Sequence, residues 1–279
     1  MTGGMPPEAA LDHLIVAAAT LADGIDYIAR ITGVTPHPGG KHVAMGTHNA
    51  LVRLGERVFL EVIAIDPAGV KPARPRWFDL DNIALQAELT ERPRLIHWVA
   101  RTADVERAAA RCPIALGPVH PMERGEFRWR ITIPDDGKPP GKGIVPTLIQ
   151  WDVAAHPADA LPESGVSIAG FAAAHPEPED VRGALAALGL SGVLPVTYDP
   201  YARLAAMLRT PRGIVTLCFT RAARARCRFR RASFVVVSEP GFASGGNPTA
   251  DPGSQHRRKD DAIHGDSQGN EGLRGGRAP

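Results

Sequence analysis

Cysteine is scarce in this sequence. Cys112, Cys218 and Cys227 are its only cysteines, and they form neither a CxxC pair nor an even set. A disulfide framework or a zinc knuckle needs one of those arrangements, so the pattern argues against both. Unpaired thiols are typical of proteins in a reducing compartment, and we therefore expect a cytoplasmic protein.

Long apolar runs and a charge excess are also missing. No apolar run approaches the length needed to cross a bilayer, and the opening MTGGMPPEAA contains no basic region followed by an apolar one. We therefore expect neither a membrane span nor a signal peptide. The net charge is only +2, which argues against nucleic acid as a partner of the whole chain.

One acidic residue stands inside a strongly apolar run. Glu61 interrupts VFLEVIAI, residues 58–65, a pattern typical of a strand covered on both faces. A carboxylate in such a strand costs several kcal/mol unless it is protonated, paired or bound to a metal. The sequence therefore predicts a buried partner or ligand for Glu61.

The surrounding residues predict a β-α-β-β-β unit over 11–66, which we call module one. Its first strand contains one histidine, His13, and its last strand contains Glu61. The helix between them is expected to follow the N-cap Thr20 and to end before Gly33. The predicted elements are a strand at 11–17, a helix at 21–31, a strand or bent arm at 39–54 and a strand at 57–66.

The same pattern returns over 94–152, which we call module two. Its first strand again contains one histidine, His97, and its last strand contains one polar residue, Gln150. His13 and Glu61 are 48 positions apart and His97 and Gln150 are 53 apart, as expected of two related modules. The other predictions are a connector at 67–93, a strand at 95–100, a helix at 104–112, a strand at 126–134, a hairpin at 135–143 and a strand at 144–152.

A third, degenerate module is predicted over 165–219. Gly170 stands at its histidine position and Thr216 near its acid position, so it lacks both candidate ligands. Residues 1–10 and 220–279 are rich in small and polar residues, and we expect them to form a disordered lead-in and a disordered tail.

Five motifs resemble, in their order and spacing, the glyoxalase-like domain proteins of the vicinal oxygen chelate superfamily. They are LDHLIVAA, GTHNALVRLG, FLEVIAIDP, LIHWVAR and LRTPRGIVTL. The resemblance to this glyoxalase, bleomycin resistance and dihydroxybiphenyl dioxygenase fold covers about residues 11–217, and we place the domain at residues 11–219. It implies an α+β fold in which paired βαβββ modules form a curved mixed sheet around a cleft.

The resemblance also implies a metal site, with ligands from the first and last strand of each module. Carried onto this sequence, the ligands are His13, Glu61, His97 and Gln150, and the ion is zinc, nickel, iron(II) or manganese. Glu61 is also the candidate catalytic base. Gln150 departs from the acid common in the family, and it is a fourth ligand, a substrate contact or neither.

Two further residues, His48 and Asn49 in GTHN, are predicted to line the cleft and to bind substrate oxygens. A turn or bulge role fits Asn49 equally well. His37, His42 and His120 lie in predicted loops, where surface exposure is the default expectation.

The leading functional hypothesis is a metal-dependent lyase or isomerase of the glyoxalase-like type, acting on a small oxygen-rich substrate that chelates the metal through two oxygens. The alternatives are an iron(II) extradiol-type dioxygenase and a non-catalytic protein that binds or sequesters a small molecule. The aromatic content of 5% offers no stacking platform that favours the dioxygenase. The expected partner is the small-molecule substrate, and pairing of two chains as a homodimer stays open.

Overall fold

The structure, a computed structural model, describes residues 9–220. The predicted tail beyond residue 220 and most of the predicted lead-in lie outside the described residues. The helices are α1 (Leu21–Thr32), α2 (Ile83–Glu91), α3 (Val105–Arg111) and α4 (Pro178–Ala187). The strands are β1 (Ala10–Ala17), β2 (His37–His42), β3 (Thr47–Gly55), β4 (Val58–Ile65), β5 (Arg94–Arg101), β6 (Val119–Arg124), β7 (Phe127–Thr132), β8 (Thr147–Trp151), β9 (Ser167–His175), β10 (Val196–Tyr198), β11 (Arg203–Thr210) and β12 (Gly213–Thr220).

The ends of α1 follow from its sequence. Thr20 is the N-cap, and its hydroxyl accepts a hydrogen bond from the backbone N–H of Asp23 at 3.1 Å. Gly33 ends the helix with a φ of 80°, a left-handed conformation that glycine adopts without strain. Both predicted ends of this helix are therefore correct.

The two modules join into one eight-stranded sheet in the order β2-β3-β4-β1-β5-β8-β7-β6. Within each module the first and last strands are parallel, β1 with β4 and β5 with β8. The modules meet through antiparallel pairing of β1 with β5. The sheet curves until its edge strands β2 and β6 approach each other, and it encloses a cleft on its concave face. The predicted α+β fold with a curved mixed sheet is confirmed.

The convex face of the sheet carries the main core. Helix α1 packs on β4 so closely that a Cβ added at Gly24 would lie 2.4 Å from Val62 Cγ1. On β5, Trp98 is fully buried and meets Phe171 of β9 edge to face, with ring centroids 5.3 Å apart. Because successive side chains of a strand alternate, Glu61, the neighbour of Val62 on β4, points to the opposite, concave face.

The region of the predicted third module has the element order β9-α4-β10-β11-β12. Its strands form a separate four-stranded sheet in the order β10-β9-β11-β12. Its first strand, β9, therefore pairs with β10 and β11 and not with its last strand, β12, whereas β1 and β5 pair with the last strands of their modules. The similarity to modules one and two is one of element order rather than of strand pairing.

Some local expectations were wrong. Residues 119–124, which include His120, form the edge strand β6 rather than a loop. The predicted hairpin at 135–143 is a loop that ends in a 3-10 turn. Within residues 9–220, no helix is long and apolar enough to cross a membrane.

Candidate functional site

The buried acid Glu61 lies on β4 with 4% of its surface exposed. In the parallel pairing of β4 with β1, Glu61 is opposite Ile15 and Phe59 is opposite His13, so all four side chains share the concave face. His13 Nε2 lies 3.5 Å from Glu61 Oε2. The structure thus brings together two residues that the sequence placed in one site.

Asn49, predicted to bind substrate, also contacts Glu61. Its side-chain N–H donates to Glu61 Oε1 at 2.5 Å, and its backbone lies in the regular β3–β4 ladder. Its neighbour His48 points to the opposite face because successive side chains of a strand alternate. His48 is half-buried and does not line the cavity of the cleft.

Behind His13 lies a carboxylate that the sequence analysis did not single out. Asp12 is completely buried, and its Oδ1 is 2.6 Å from His13 Nδ1. Its Oδ2 accepts a hydrogen bond from the Trp151 indole at 3.0 Å and is 3.2 Å from His156 Nε2. A register shift in β1 between Leu11 and His13 allows consecutive side chains to meet in this way.

The environment of Asp12 keeps it ionised. Burial alone raises the pKa of its carboxyl, but hydrogen bonds from His13 and His156 outweigh burial and hold the pKa well below its usual range. An ionised Asp12 accepts from the Nδ1–H of His13, which leaves Nε2 as the nitrogen that faces Glu61. The Asp-His pair of LDHL, inside an apolar strand, was a signal in the sequence for this arrangement.

His42 belongs to the site although a surface loop was expected. It ends β2 on the cleft face with 6% of its surface exposed, and its Nε2 is 4.0 Å from Glu61 Oε1. Its Nδ1 is 3.2 Å from Thr47 Oγ1, and its Nε2 is 3.2 Å from Arg124 Nη1. Because the arginine can only donate, Nε2 accepts and Nδ1 carries the proton. Burial lowers the pKa of His42 to about 4, so it is neutral at physiological pH.

The histidine of module two, His97, does not join this group. It is fully buried, its Nδ1 is 3.1 Å from the carbonyl oxygen of Gly143, and its Nε2 accepts from the backbone N–H of Thr147 at 3.1 Å. Both ring nitrogens are therefore engaged with the protein. The Phe78 ring, which lines the cavity, lies 5.6 Å from the His97 ring, whereas His97 does not line the cavity.

Gln150 lies on the opposite face of the sheet. Its neighbours Ile149 and Trp151 line the cavity, so Gln150 points away, and its Oε1 accepts from the backbone N–H of Val105 at 3.0 Å. The register identifies a different counterpart of Glu61. Val99 is opposite Thr147, which places Thr147 relative to His97 as Glu61 is placed relative to His13.

Counting positions from the histidine to the polar residue in each module gave the wrong equivalent of Glu61, because the loops of the two modules differ in length. His97 and Thr147 are 50 positions apart, so the count to Gln150 overshot by an odd number of residues. An odd error in a strand moves a side chain to the other face. The equivalence of Gln150 with Glu61 is therefore corrected to Thr147, whose hydroxyl lies 3.1 Å from His97 Nε2.

These donors do not fit the predicted metal centre. Within the described part of the chain, no three His, Cys, Asp or Glu side chains are placed to hold a metal ion. In the cleft, His13 Nε2 and the Glu61 carboxylate are two donors, while the lone pair of His42 Nε2 faces Arg124. Zinc sites take three or four protein ligands, and a non-haem iron(II) site takes two histidines and one carboxylate. Neither the four-ligand set nor a facial triad of two histidines and a carboxylate is assembled.

The cleft itself is a small, partly open cavity of about 30 Å³. Its polar residues are Glu61 and the side chains around it, and five of its thirteen lining residues are Phe or Trp. The aromatic residues that line it are Phe59, Trp77, Phe78, Trp129 and Trp151. The low aromatic content of the whole chain therefore misled the prediction, because three of the four tryptophans are concentrated here.

The glyoxalase-like domain family matches residues 11–189, more than half of the chain. No curated protein matches the sequence.

Similar folds occur among solved structures at low identity. A hypothetical protein from Staphylococcus aureus is 14% identical, with 75% of this chain and 84% of that chain covered and a TM-score of 0.41. Methylmalonyl-CoA epimerase from Mycobacterium tuberculosis is 17% identical, with 56% and 94% covered and a TM-score of 0.33. A mutant 4-hydroxymandelate synthase from Streptomyces coelicolor is 12% identical, with 78% and 64% covered and a TM-score of 0.39.

Proposed function

This chain belongs to the glyoxalase-like domain family of the vicinal oxygen chelate superfamily, and we propose that it is a lyase or isomerase that moves a proton on a small oxygen-rich substrate. The observation that carries the proposal is the buried pair of His13 and Glu61 on the wall of this small cavity. A carboxylate and an imidazole within reach of one substrate atom are the groups that general acid–base catalysis uses.

Glu61 is the proposed base. Its carboxylate removes a proton from a carbon next to a carbonyl, and the electron pair of the broken C–H bond moves onto the carbonyl oxygen to form an enolate. The proton then returns to a different position or a different face of the substrate. His13 Nε2, 3.5 Å from Glu61 Oε2, exchanges that proton with Glu61, since Asp12 holds the other ring nitrogen in its protonated form.

The enolate oxygen needs a hydrogen-bond donor. The indole N–H of Trp77 is buried and has no hydrogen-bond partner among the described residues, and Trp77 lines the cavity. An unpaired buried donor costs about 1–3 kcal/mol, and a substrate oxygen that accepts from it removes that cost. We assign this donor to the oxygen on which negative charge develops.

The test is deuterium exchange into small carbonyl compounds that carry a C–H bond next to the carbonyl. The protein is incubated in D2O with hydroxyacetone, pyruvate and phenylpyruvate, and loss of the C–H signals is followed by proton NMR. Glu61→Gln keeps the acceptor of the Asn49 hydrogen bond and removes the base. We expect it to slow exchange by about 10² to 10⁴, while Glu123→Gln, at an exposed glutamate of β6, leaves the rate unchanged.

Equal exchange by the wild type and Glu61→Gln would refute the assignment of the base. Exchange of none of the three probes would favour the second candidate function, a protein that binds a small molecule without changing it. One observation supports that candidate, namely that only two donors of the predicted metal set, His13 and Glu61, face the cavity. Unchanged recovery of a ligand that binds wild type and Glu61→Gln alike would establish it.

A further inference from the structure

We propose that the substrate of this cleft carries a single carboxylate on an apolar body, and that Arg124 binds that carboxylate. The proposal rests on the proposed function in one respect, since it takes the same cleft as the substrate site. It adds the class of substrate and a binding residue that neither the sequence analysis nor the family match indicates.

Arg124 lies at the gap between β2 and β6, the two edge strands of the curved sheet. It is the last residue of β6, and its guanidinium reaches across to β2 and β3, with Nη1 3.2 Å from both His42 Nε2 and Asn49 Oδ1. Asn49 in turn donates to Glu61. An anion on Arg124 would therefore lie one side chain away from the proposed base, at the open side of the cavity.

Arg124 is also the cation of this region that has no carboxylate partner within residues 9–220. The other cations around the opening have carboxylate partners: Lys41 Nζ is 2.7 Å from Asp66 Oδ2, and Arg128 Nε is 3.7 Å from Glu123 Oε2. Arg124 has no ion pair with any described residue. Burial lowers its pKa, although the nearby charge of Glu61 opposes the shift. A positive charge that is partly removed from water without a counter-charge is costly, and a bound anion would offset that cost.

The free atoms of the guanidinium have the geometry of a carboxylate site. Only Nη1 of Arg124 donates to described residues, so Nε and Nη2 are left on one edge of the planar group. Two parallel N–H donors match the two oxygens of a carboxylate. His42, held neutral by burial, adds no positive charge to the site.

The charge balance favours a monoanion over a phosphate. The cavity is lined by one carboxylate, Glu61, and one arginine, Arg124. A carboxylate is matched by the single guanidinium, whereas the second charge of a phosphate would meet no further cation and would repel Glu61. The remaining wall, with Trp77, Trp129 and Trp151, suits the flat or apolar body of such an acid.

A purely structural role is the alternative. Arg124 would then only fasten β6 to β2, and its loss would weaken the fold without affecting one ligand more than another. The test therefore compares ligands as well as variants. Benzoate, benzamide and phenylphosphonate are titrated by calorimetry and by quenching of tryptophan fluorescence, since three tryptophans line the cavity.

We expect benzoate to bind the wild type at least about tenfold more tightly than benzamide, because a charge-assisted bidentate pair is lost with the amide. Phenylphosphonate should bind more weakly than benzoate. Arg124→Gln should lose the preference for benzoate, and Arg124→Lys should retain part of it. Arg128→Gln, at the exposed arginine outside the cavity, should bind all three probes as the wild type does.

Several outcomes would overturn the proposal: no binding of benzoate by the wild type, benzamide binding as tightly as benzoate, or an unchanged preference in a folded Arg124→Gln. Tighter binding of phenylphosphonate would replace the carboxylate with a dianion and overturn it as well. If Arg124→Gln does not fold, the proposal is tested by the ligand preference of Arg124→Lys and by the ratio of the affinities of the wild type for benzoate and benzamide. Glu61→Gln should still prefer benzoate, so failure of the proton-transfer proposal remains distinguishable.

Discussion

The substitution Asp12→Asn removes the negative charge of the buried carboxylate but keeps the size and shape of the side chain. Asp12 accepts from three groups, the Trp151 indole and the rings of His13 and His156. An asparagine in the same position keeps one acceptor oxygen and replaces the other with an NH2 group. That NH2 group must face a former donor. Only a histidine ring can then accept a hydrogen bond from it, because the ring can change tautomer whereas an indole N–H always donates.

The consequence for His13 follows from this geometry. If the NH2 group donates to His13 Nδ1, the ring proton moves to Nε2, and His13 then points a donor at Glu61 instead of an acceptor. The pair can no longer pass a proton in the proposed direction. We expect exchange activity to fall by about 10² or more, with little effect on the affinity for benzoate.

The cost in stability can be estimated from the same contacts. A hydrogen bond to a charged group contributes about 1.5–3 kcal/mol and a neutral one about 1 kcal/mol. Weakening the three hydrogen bonds to Asp12 should therefore lower the free energy of unfolding by about 3 kcal/mol at pH 7. The folded-state pKa of Asp12 is depressed below its ordinary value of 3.8, so its contribution is fully present above that pH and declines as the pH falls below it.

The assay is urea denaturation at pH 7 and at pH 3, together with nitrogen NMR of the histidine rings to assign their tautomers. The exposed Asp26→Asn on α1 is the control and should match the wild type in both. The difference between wild type and Asp12→Asn should be smaller at pH 3 than at pH 7. A stability change below about 0.5 kcal/mol, typical of a neutral surface substitution, together with an unchanged His13 tautomer, would refute the reasoning.

Two further predictions concern packing and pH. Gly24→Ala places a methyl group 2.4 Å from Val62 Cγ1 and should lower the free energy of unfolding by about 1–3 kcal/mol. Gly183→Ala in α4, with nothing within 4 Å of the added carbon, should raise it by about 0.5–1 kcal/mol. Equal effects of the two substitutions in thermal unfolding would contradict the packing argument. His42, whose pKa is lowered from 6.5 to about 4, binds a proton more readily in the unfolded chain, so stability should fall by about 3 kcal/mol as the pH drops from 6.5 to 4. In His42→Gln that part of the pH dependence should disappear, and its persistence in denaturation curves would show that another group titrates.

The order of the helices and strands could be predicted from local patterns in the sequence. Apolar runs marked β1, β4, β5 and β8, and the cap residues Thr20 and Gly33 marked the ends of α1. The pairing of His13 with Glu61 followed from the cost of burying a carboxylate alone. Edge strand β6 was missed because VHPMER lacks the apolar alternation that identifies a half-buried strand.

The residues that form the site could not be predicted from the sequence in the same way. His42 and Arg124 meet across the opening between β2 and β6, 82 positions apart in the chain, and no local pattern reports the curvature that brings two edges together. Asp12 faces His13 because of a shift in strand register. Gln150 was placed on the wrong face because the loops of module two differ in length from those of module one.

The sequence by itself therefore determined the elements, their repetition and the need of Glu61 for a partner, since these depend on periodicity and on the cost of a buried charge. Only the tertiary structure decided which side chains share the cleft. Strand register sets the face of each residue with a period of two, so an odd error exchanges a ligand for a residue on the far side. Curvature of the sheet then sets which edges meet, and here it brings Arg124, which has no ion pair with a described residue, within one side chain of the buried Glu61.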